Sequence, residues 1–198
     1  MGRTKTYNRD DLIDRAMGMF RRHGYVGTST QMLVEGLNVN RYSIYAEFGD
    51  KQTLFDAALE RYEQTVIRPR FDALEQPESG LADIRALFEF YAAAADGPVS
   101  GQGCLLCNTA VELGPSDPSG AGFVARYFQR LSRGFEVALG NSCERGELDP
   151  SVDVEAQAHG LTAAVLGMFV MLRAAAPAAM VANAAAAAID QLESLGRP

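Results

Sequence analysis

Capping-type residues at Asn8, Thr28 or Ser29, Asn40 and Asp50 cut the first sixty positions into short pieces, and each stands just ahead of apolar residues at helical spacing. After Asn8, the carboxylates Asp10 and Asp11 fall in the first turn, where free amides and the positive end of the helix dipole favour them. Leu12, Ile13, Ala16, Met17, Met19 and Phe20 then recur on one face until "RRHG", where cations and Gly24 signal a C-terminal end. A second, short helix runs through Met32, Leu33 and Leu37 and breaks at "GLNVN", where Asn38 is one of the few non-glycine types that accept a left-handed backbone. A third covers Arg41 to about Phe48 and ends at Gly49, with Ile44, Tyr45 and Phe48 placed to share a face. Leu54, Phe55, Ala58, Leu59 and Tyr62 outline a fourth that is expected to reach "RPR" at 68–70. No strand-like alternation interrupts this pattern, which restricts the region to packed helices.

The rest of the chain reads the same way. Helices are expected over about 81–95, 104–113, 121–145, 154–175 and 178–195, divided by Gly, Pro and Ser-rich loops. The last pair is rich in alanine and split only by Pro177. The expectation is an all-α protein of about nine helices, with the first three forming one unit and a larger helical unit following; the division is placed at residues 1–51 and 52–198.

Composition narrows the function. With 198 residues, 47% hydrophobic, the chain is long enough for a substantial core. Its apolar runs, "AAVLGMFVML" and "AAAAAI", are shorter than the roughly 18–20 uninterrupted residues of a membrane helix, and the N-terminus lacks the apolar stretch of a signal peptide. The expected compartment is therefore the cytoplasm, with no membrane partner. Three cysteines, Cys104, Cys107 and Cys143, are an odd number there and point to thiols rather than a disulfide framework. The net charge of −7 is uneven: residues 1–51 hold eight Lys/Arg against six Asp/Glu, a net of +2, and the remainder carries −9. Only the N-terminal unit suits a polyanion.

Two short helices joined by a tight turn, the second opening on polar residues, fit a helix-turn-helix whose second helix enters the major groove. Positions 10–55 resemble the DNA-binding domain of the TetR (tetracycline-repressor-like) family of transcriptional regulators. Thr28, Ser29, Val39, Ile44, Tyr45, Phe48, Lys51, Leu54 and Phe55 stand on the family's spaced positions, and Phe20, His23, Gly24 and Tyr25 match the end of its first helix. The sequence departs from the pattern at Asn38, where the family has a turn glycine, at Tyr42, where a small residue is common, and at Ala46 with Glu47, a pair often basic or aromatic.

The resemblance implies sequence-specific binding of a double-stranded, palindromic operator, more often as a repressor. It assigns Tyr45 and Lys51 to phosphate contacts, which suits a phenol donor and an ammonium at a helix start. Arg41 and Tyr42, on the first turn of the recognition helix, are the candidate base readers, because a guanidinium pairs bidentately with guanine. Thr28, Asn40, Ser43 and Ala46 complete the expected DNA surface, with Arg3 and Lys5 as a short basic arm. Glu47 either accepts from a cytosine amine or sits on the solvated side. Ile44 and Phe48 read as core.

The same resemblance makes the second half a regulatory unit that holds a small-molecule effector and forms a homodimer through the last two helices. Small residues there permit close approach across a symmetric interface. Candidate pocket residues are Tyr62, Phe71, Phe88, Tyr91 and Cys104, followed by Asn108, Glu112, Phe128 and Met168; aromatic and methionine content points to a largely apolar effector. One alternative is a redox or electrophile sensor built on Cys104 and Cys107, three residues apart near a helix start whose dipole lowers a thiol pKa. Another is a ligand-binding module that has lost DNA binding. An enzyme is not expected: the chain has only two histidines, His23 and His159, and lacks metal-ligand spacing, a phosphate loop and a nucleophile elbow. No cofactor or metal is implied.

Overall fold

The computed structural model describes residues 7–97, 100–114 and 118–196. Its first helices start where side chains satisfy the free amides. The Asn8 oxygen accepts from Asp10 N–H at 2.8 Å at the head of α1 (Arg9–Gly27). Ser29, rather than Thr28, caps α2 (Thr30–Leu37) by accepting from Met32 N–H at 3.2 Å. Asn40 accepts from Ser43 N–H at 2.8 Å to open α3 (Arg41–Phe48), and Asp50 accepts from Thr53 N–H at 2.7 Å to open α4 (Lys51–Tyr62). Each such cap contributes about 1 kcal/mol. Asn38 ends α2 with φ 53° and ψ 42°, the left-handed conformation expected of it, and Gly49 ends α3 at φ 81°.

These four helices share one core. Leu12, Ile13, Ala16 and Phe20 from α1 meet Leu33 and Leu37 from α2, Ile44 and Phe48 from α3, and Leu54 and Phe55 from α4, all buried. The Phe20 and Phe55 rings lie edge to face with centroids 4.9 Å apart. The first helix breaks at Gly24, its expected end, with a φ of 77° and ψ of 175° accessible essentially to glycine alone, and a short helical piece follows the kink to Gly27.

The expected fourth helix is a rod with an irregularity. α4 ends at Tyr62, the chain passes through a π-helical turn at Glu63–Ile67, and α5 (Arg68–Leu74) resumes. Pro69 explains the slip, since it has no N–H to give to the preceding turn and its ring crowds the carbonyl there. The Arg70 guanidinium donates to the Val66 carbonyl at 2.6 Å and the Thr65 hydroxyl to the Arg61 carbonyl at 2.7 Å, which serves the disturbed carbonyls.

The larger unit adds α6 (Leu81–Ala93) with a 3₁₀ turn at Ala94–Asp96, then α7 (Leu105–Leu113), α8 (Pro118–Glu144), α9 (Val154–Arg173) and α10 (Ala178–Glu193). Counting the α4–α5 rod once gives nine helices among the described residues, with a lone antiparallel bridge, Leu148 to Gly196, and no strand. Phe71, Phe88, Tyr127, Leu131 and Phe135 form the heart of this unit, where α5, α6 and α8 meet. α9 is 20 residues long with a mean hydropathy of 1.2 over its most apolar window, so by length and composition alone it is apolar enough to cross a bilayer. Its uninterrupted apolar run is nonetheless short, as expected, because Gln157, His159 and Thr162 break it, while the apolar residues around them hold the average up. Its Ala158, Leu161, Val165, Met168 and Phe169 face is buried, and α9 packs along α8 and against α10.

Candidate nucleic-acid interface and effector cavity

α3 buries two residues over its two turns. Ile44 and Phe48 face the core, while Arg41, Tyr42 and Ala46 face outwards and Tyr42 is 82% exposed. Arg41 folds back over the ring of Tyr45, its Cζ 5.4 Å from the centroid and its guanidinium donating to the phenol oxygen at 3.4 Å. That bond, and a second from Thr30, hold the Tyr45 phenol below its ordinary pKa. Asn40 and Ser43 are exposed or half-buried at the start of α3, and the Asn40 side-chain oxygen is engaged in the cap. Lys51 follows at the N-terminus of α4 with its Nζ 4.2 Å from the Tyr25 ring; burial lowers its pKa and nearby Glu112 opposes that shift. Exposed groups from α3 and a cation at the next helix start therefore lie on one short, continuous stretch.

Two sequence expectations change here. Thr28 is fully buried, and its hydroxyl donates to the Gly24 carbonyl at 2.6 Å, so it closes the α1 break instead of facing outwards. Glu47 is neither solvated nor free: it accepts from Tyr7 Oη at 3.2 Å and pairs with Arg9 Nε at 3.6 Å, with its side chain only 9% exposed. The carboxylate ties the end of α3 to the start of α1. Arg3 and Lys5 lie outside the described residues.

The broken end of α1 is gripped by the larger unit. Glu112 on α7 accepts from the Tyr25 and Val26 amides at 2.9 and 2.7 Å, two donors just beyond the break at Gly24. Arg173 at the end of α9 donates to the Arg21 and Arg22 carbonyls at 3.1 and 2.8 Å, and Arg21 Nε donates to the Gly103 carbonyl at 2.7 Å. Asn108 donates to the carbonyls of Gln102, at 2.8 Å, and Arg21, at 3.4 Å. Asn108 and Glu112 border a groove of about 310 Å³ beside His23, but their polar groups are already committed to backbone.

A cavity of about 280 Å³ lies between α1, the end of α4 with its π turn, α6 and α9. Tyr62, Tyr91, Phe90 and Phe169 supply its aromatic walls, and Arg21 and Arg70 its charge. Tyr91 and Phe169 meet edge to face at 4.6 Å, Arg70 Cζ stands 4.2 Å from the Phe90 ring, and Arg21 Cζ stands 5.5 Å from the Tyr62 ring. The Tyr91 hydroxyl is buried with no hydrogen-bond partner among the described residues. Burial raises the Tyr91 pKa, so the group is a neutral donor at ordinary pH. A more open depression of about 350 Å³ beside Glu60, Glu63, Arg68 and Arg126 is a solvated charged surface by comparison.

Of the nine pocket residues expected from sequence, Tyr62 and Tyr91 share the cavity. Phe71 and Phe88 pack instead on Phe135, with centroids 6.0 and 6.2 Å away, and Met168 is buried. Phe128 is half-exposed on a wide surface depression with His159. Cys104 stands buried at the N-cap position of α7 with no side-chain cap bond, its Sγ 3.3 Å from Tyr127 Oη. Against the expectation of a thiol activated by the helix end, burial pushes the Cys107 thiol up to about 12. Sequence reasoning missed Arg21, Arg70, Phe90, Phe169 and Arg173, which carry no local motif.

Residues 12–58 match the family described as bacterial regulatory proteins, tetR family, and residues 80–188 match the tetracyclin repressor-like C-terminal domain. Over 173 residues the chain is 33% identical to the uncharacterized HTH-type transcriptional regulator YezE of Bacillus subtilis (strain 168), spanning 85% of this chain and 87% of that protein. It is 32% identical over 176 residues to the HTH-type transcriptional repressor ComR of Escherichia coli (strain K12), spanning 87% and 82%. Among solved structures, a cysteine mutant of the TetR family transcriptional regulator CifR complexed with 26-bp double-strand operator DNA is similar with a TM-score of 0.85 and 25% identity, covering 96% of this chain and 98% of that one.

Proposed function

Because the chain belongs to the tetR family of bacterial regulatory proteins and is a DNA-binding regulator of transcription, we propose that it works as a homodimeric repressor released from a palindromic operator by a small effector. The observation that carries this reading is the outward face of α3, where Arg41 and the 82% exposed Tyr42 stand free of the core beside Tyr45 and Lys51. Arg41 and Tyr42 read base edges; Tyr45 and Lys51, with Asn40, Ser43 and Ala46 around them, fix the register on the phosphates. The division at residue 51 serves as a functional boundary, although α4 lends Leu54 and Phe55 to the DNA-binding core.

A second copy is supported by a face left open on the last two helices. On α9, Ala156, Gly160, Ala163 and Val170 are exposed along one stripe, and nothing lies within 4 Å of a β-carbon built on Gly160 or Gly167. On α10, Ala179, Ala182 and Ala186 are exposed with Met180. Small residues let two such pairs approach as a four-helix bundle, which sets two α3 helices about 34–36 Å apart. An effector in the aromatic cavity binds best when the heads are held at another separation, and operator affinity falls by that difference. The work is binding rather than catalysis, done in the cytoplasm where the DNA is.

Crosslinking immunoprecipitation in cells tests this reading. Discrete genomic peaks that vanish in an Arg41→Ala, Tyr42→Ala variant, with flanking transcripts that rise when the protein is deleted, support a repressor. Absence of peaks rejects the operator-binding role, and transcripts that fall reject the sign.

A further inference from the structure

The aromatic cavity is charged as well as apolar. Among the described residues its lining includes two guanidinium groups and no carboxylate, in a chain whose net charge is −7. Among the described residues Arg21 donates one bond, to the Gly103 carbonyl, and Arg70 one bond, to the Val66 carbonyl, which leaves further N–H donors on each planar fork. Both line the same cavity as Tyr91 and act electrostatically on its hydroxyl, against the larger effects of burial and Cys104. That hydroxyl is one of two buried side-chain polar atoms, with Arg130 Nε, that the fold leaves without a partner among the described residues, and it is the one in the cavity wall. A buried donor of this kind normally has an acceptor, so its position in a cavity wall points to an acceptor that arrives with a ligand. Around this polar end stand Phe90, Phe169, Tyr62 and Leu172, and the volume of about 280 Å³ sits at the small end of ligand pockets.

We propose that the effector is a small organic monocarboxylate with an apolar body, its carboxylate taken by Arg70, Arg21 and the Tyr91 hydroxyl and its body lying among the rings. The proposal rests on the regulator reading for its biological meaning but not for its chemistry. It also supplies a route to the DNA: Arg21 belongs to α1, the spine of the DNA-binding unit, and its guanidinium bonds to Gly103 while standing over Tyr62 at the end of α4. A carboxylate at Arg21 competes with the Gly103 carbonyl and so alters the hold of the larger unit on α1.

Calorimetric titration with benzoate, phenylacetate and hexanoate, each beside its uncharged amide, tests the site in the purified full chain. At least one acid binds, its amide binds at least about tenfold more weakly, and Tyr91→Phe and Arg70→Met each weaken the acid at least about tenfold. Unchanged circular dichroism and melting in both variants show that the loss is local. Equal binding of acid and amide, or indifference to both substitutions, overturns the proposal. A parallel titration with operator duplex separates the two readings: a protein that binds DNA but none of the acids keeps its regulatory role and loses the anion site, while one that binds an acid and no duplex keeps the site and loses the role.

Discussion

The carboxylate of Glu112 occupies the space that a side chain on Gly24 would need: a β-carbon built there lies 2.5 Å from Oε2. Gly24 also holds φ at 77° and ψ at 175°, so a substitution meets strain and collision together. Gly24→Ala is expected to cost about 2 kcal/mol, a fall in melting temperature of roughly 4–8 °C for a chain of this length. The Gly24→Ala, Glu112→Ala double variant should lose less than the sum of the singles, because the first change already displaces the carboxylate from the Tyr25 and Val26 amides. Additive losses by thermal unfolding would mean that the two residues are independent.

On DNA, the residues of α3 and α4 should separate by kind. Arg41→Ala is expected to cost about 1–3 kcal/mol of operator affinity and to relax preference at one base pair, with little change in melting because the side chain is exposed. Lys51→Met should weaken all duplexes alike and reduce the slope of log affinity against log salt by about 1. Fluorescence anisotropy across salt concentrations distinguishes the two.

The parts of this structure that the sequence makes legible are local. Caps at Asn8, Asn40 and Asp50 and the left-handed Asn38 depend on a few neighbouring residues, and all appear as expected. What joins the two units depends on partners far apart: Arg173 reaches the Arg21 carbonyl across 152 positions, and Glu112 the Tyr25 amide across 87. Spacing contains no trace of such pairs. Aromatic content points to an apolar effector, yet it cannot tell Phe90 and Phe169, which face the cavity, from Phe71 and Phe88, which pack on Phe135. Thr28 shows the opposite failure, a family position whose hydroxyl is consumed by the fold.

Alkaline pH should unfold the protein through its buried acids. Burial raises Tyr62, Tyr91 and Tyr127 above the ordinary phenol value and Cys107 from 9.0 to about 12. The unfolded chain therefore loses these protons first. Their contribution is complete below about pH 9 and declines as pH rises through the phenol range towards the folded values. Melting temperature measured from pH 7 to 11 should stay level with respect to these groups and then fall. The same burial predicts that a thiol reagent at pH 8 reaches half-buried Cys143 before Cys104 or Cys107.

The open stripe on α9 should carry dimer formation. Replacing Ala163 and Val170 by glutamate places charge where two copies would meet and leaves the monomer core untouched, since both side chains are exposed. Sedimentation is expected to show a folded monomer and anisotropy a large loss of operator affinity. A variant that remains dimeric would place the interface elsewhere.

Selection of binding sites from a random duplex pool by the reduced protein, followed by sequencing, addresses the central claim most directly. The expected result is an enriched palindrome with half-sites about one helical turn apart, lost with Arg41→Ala and Tyr42→Ala. No enrichment at either low or moderate salt would contradict the claim that α3 reads DNA.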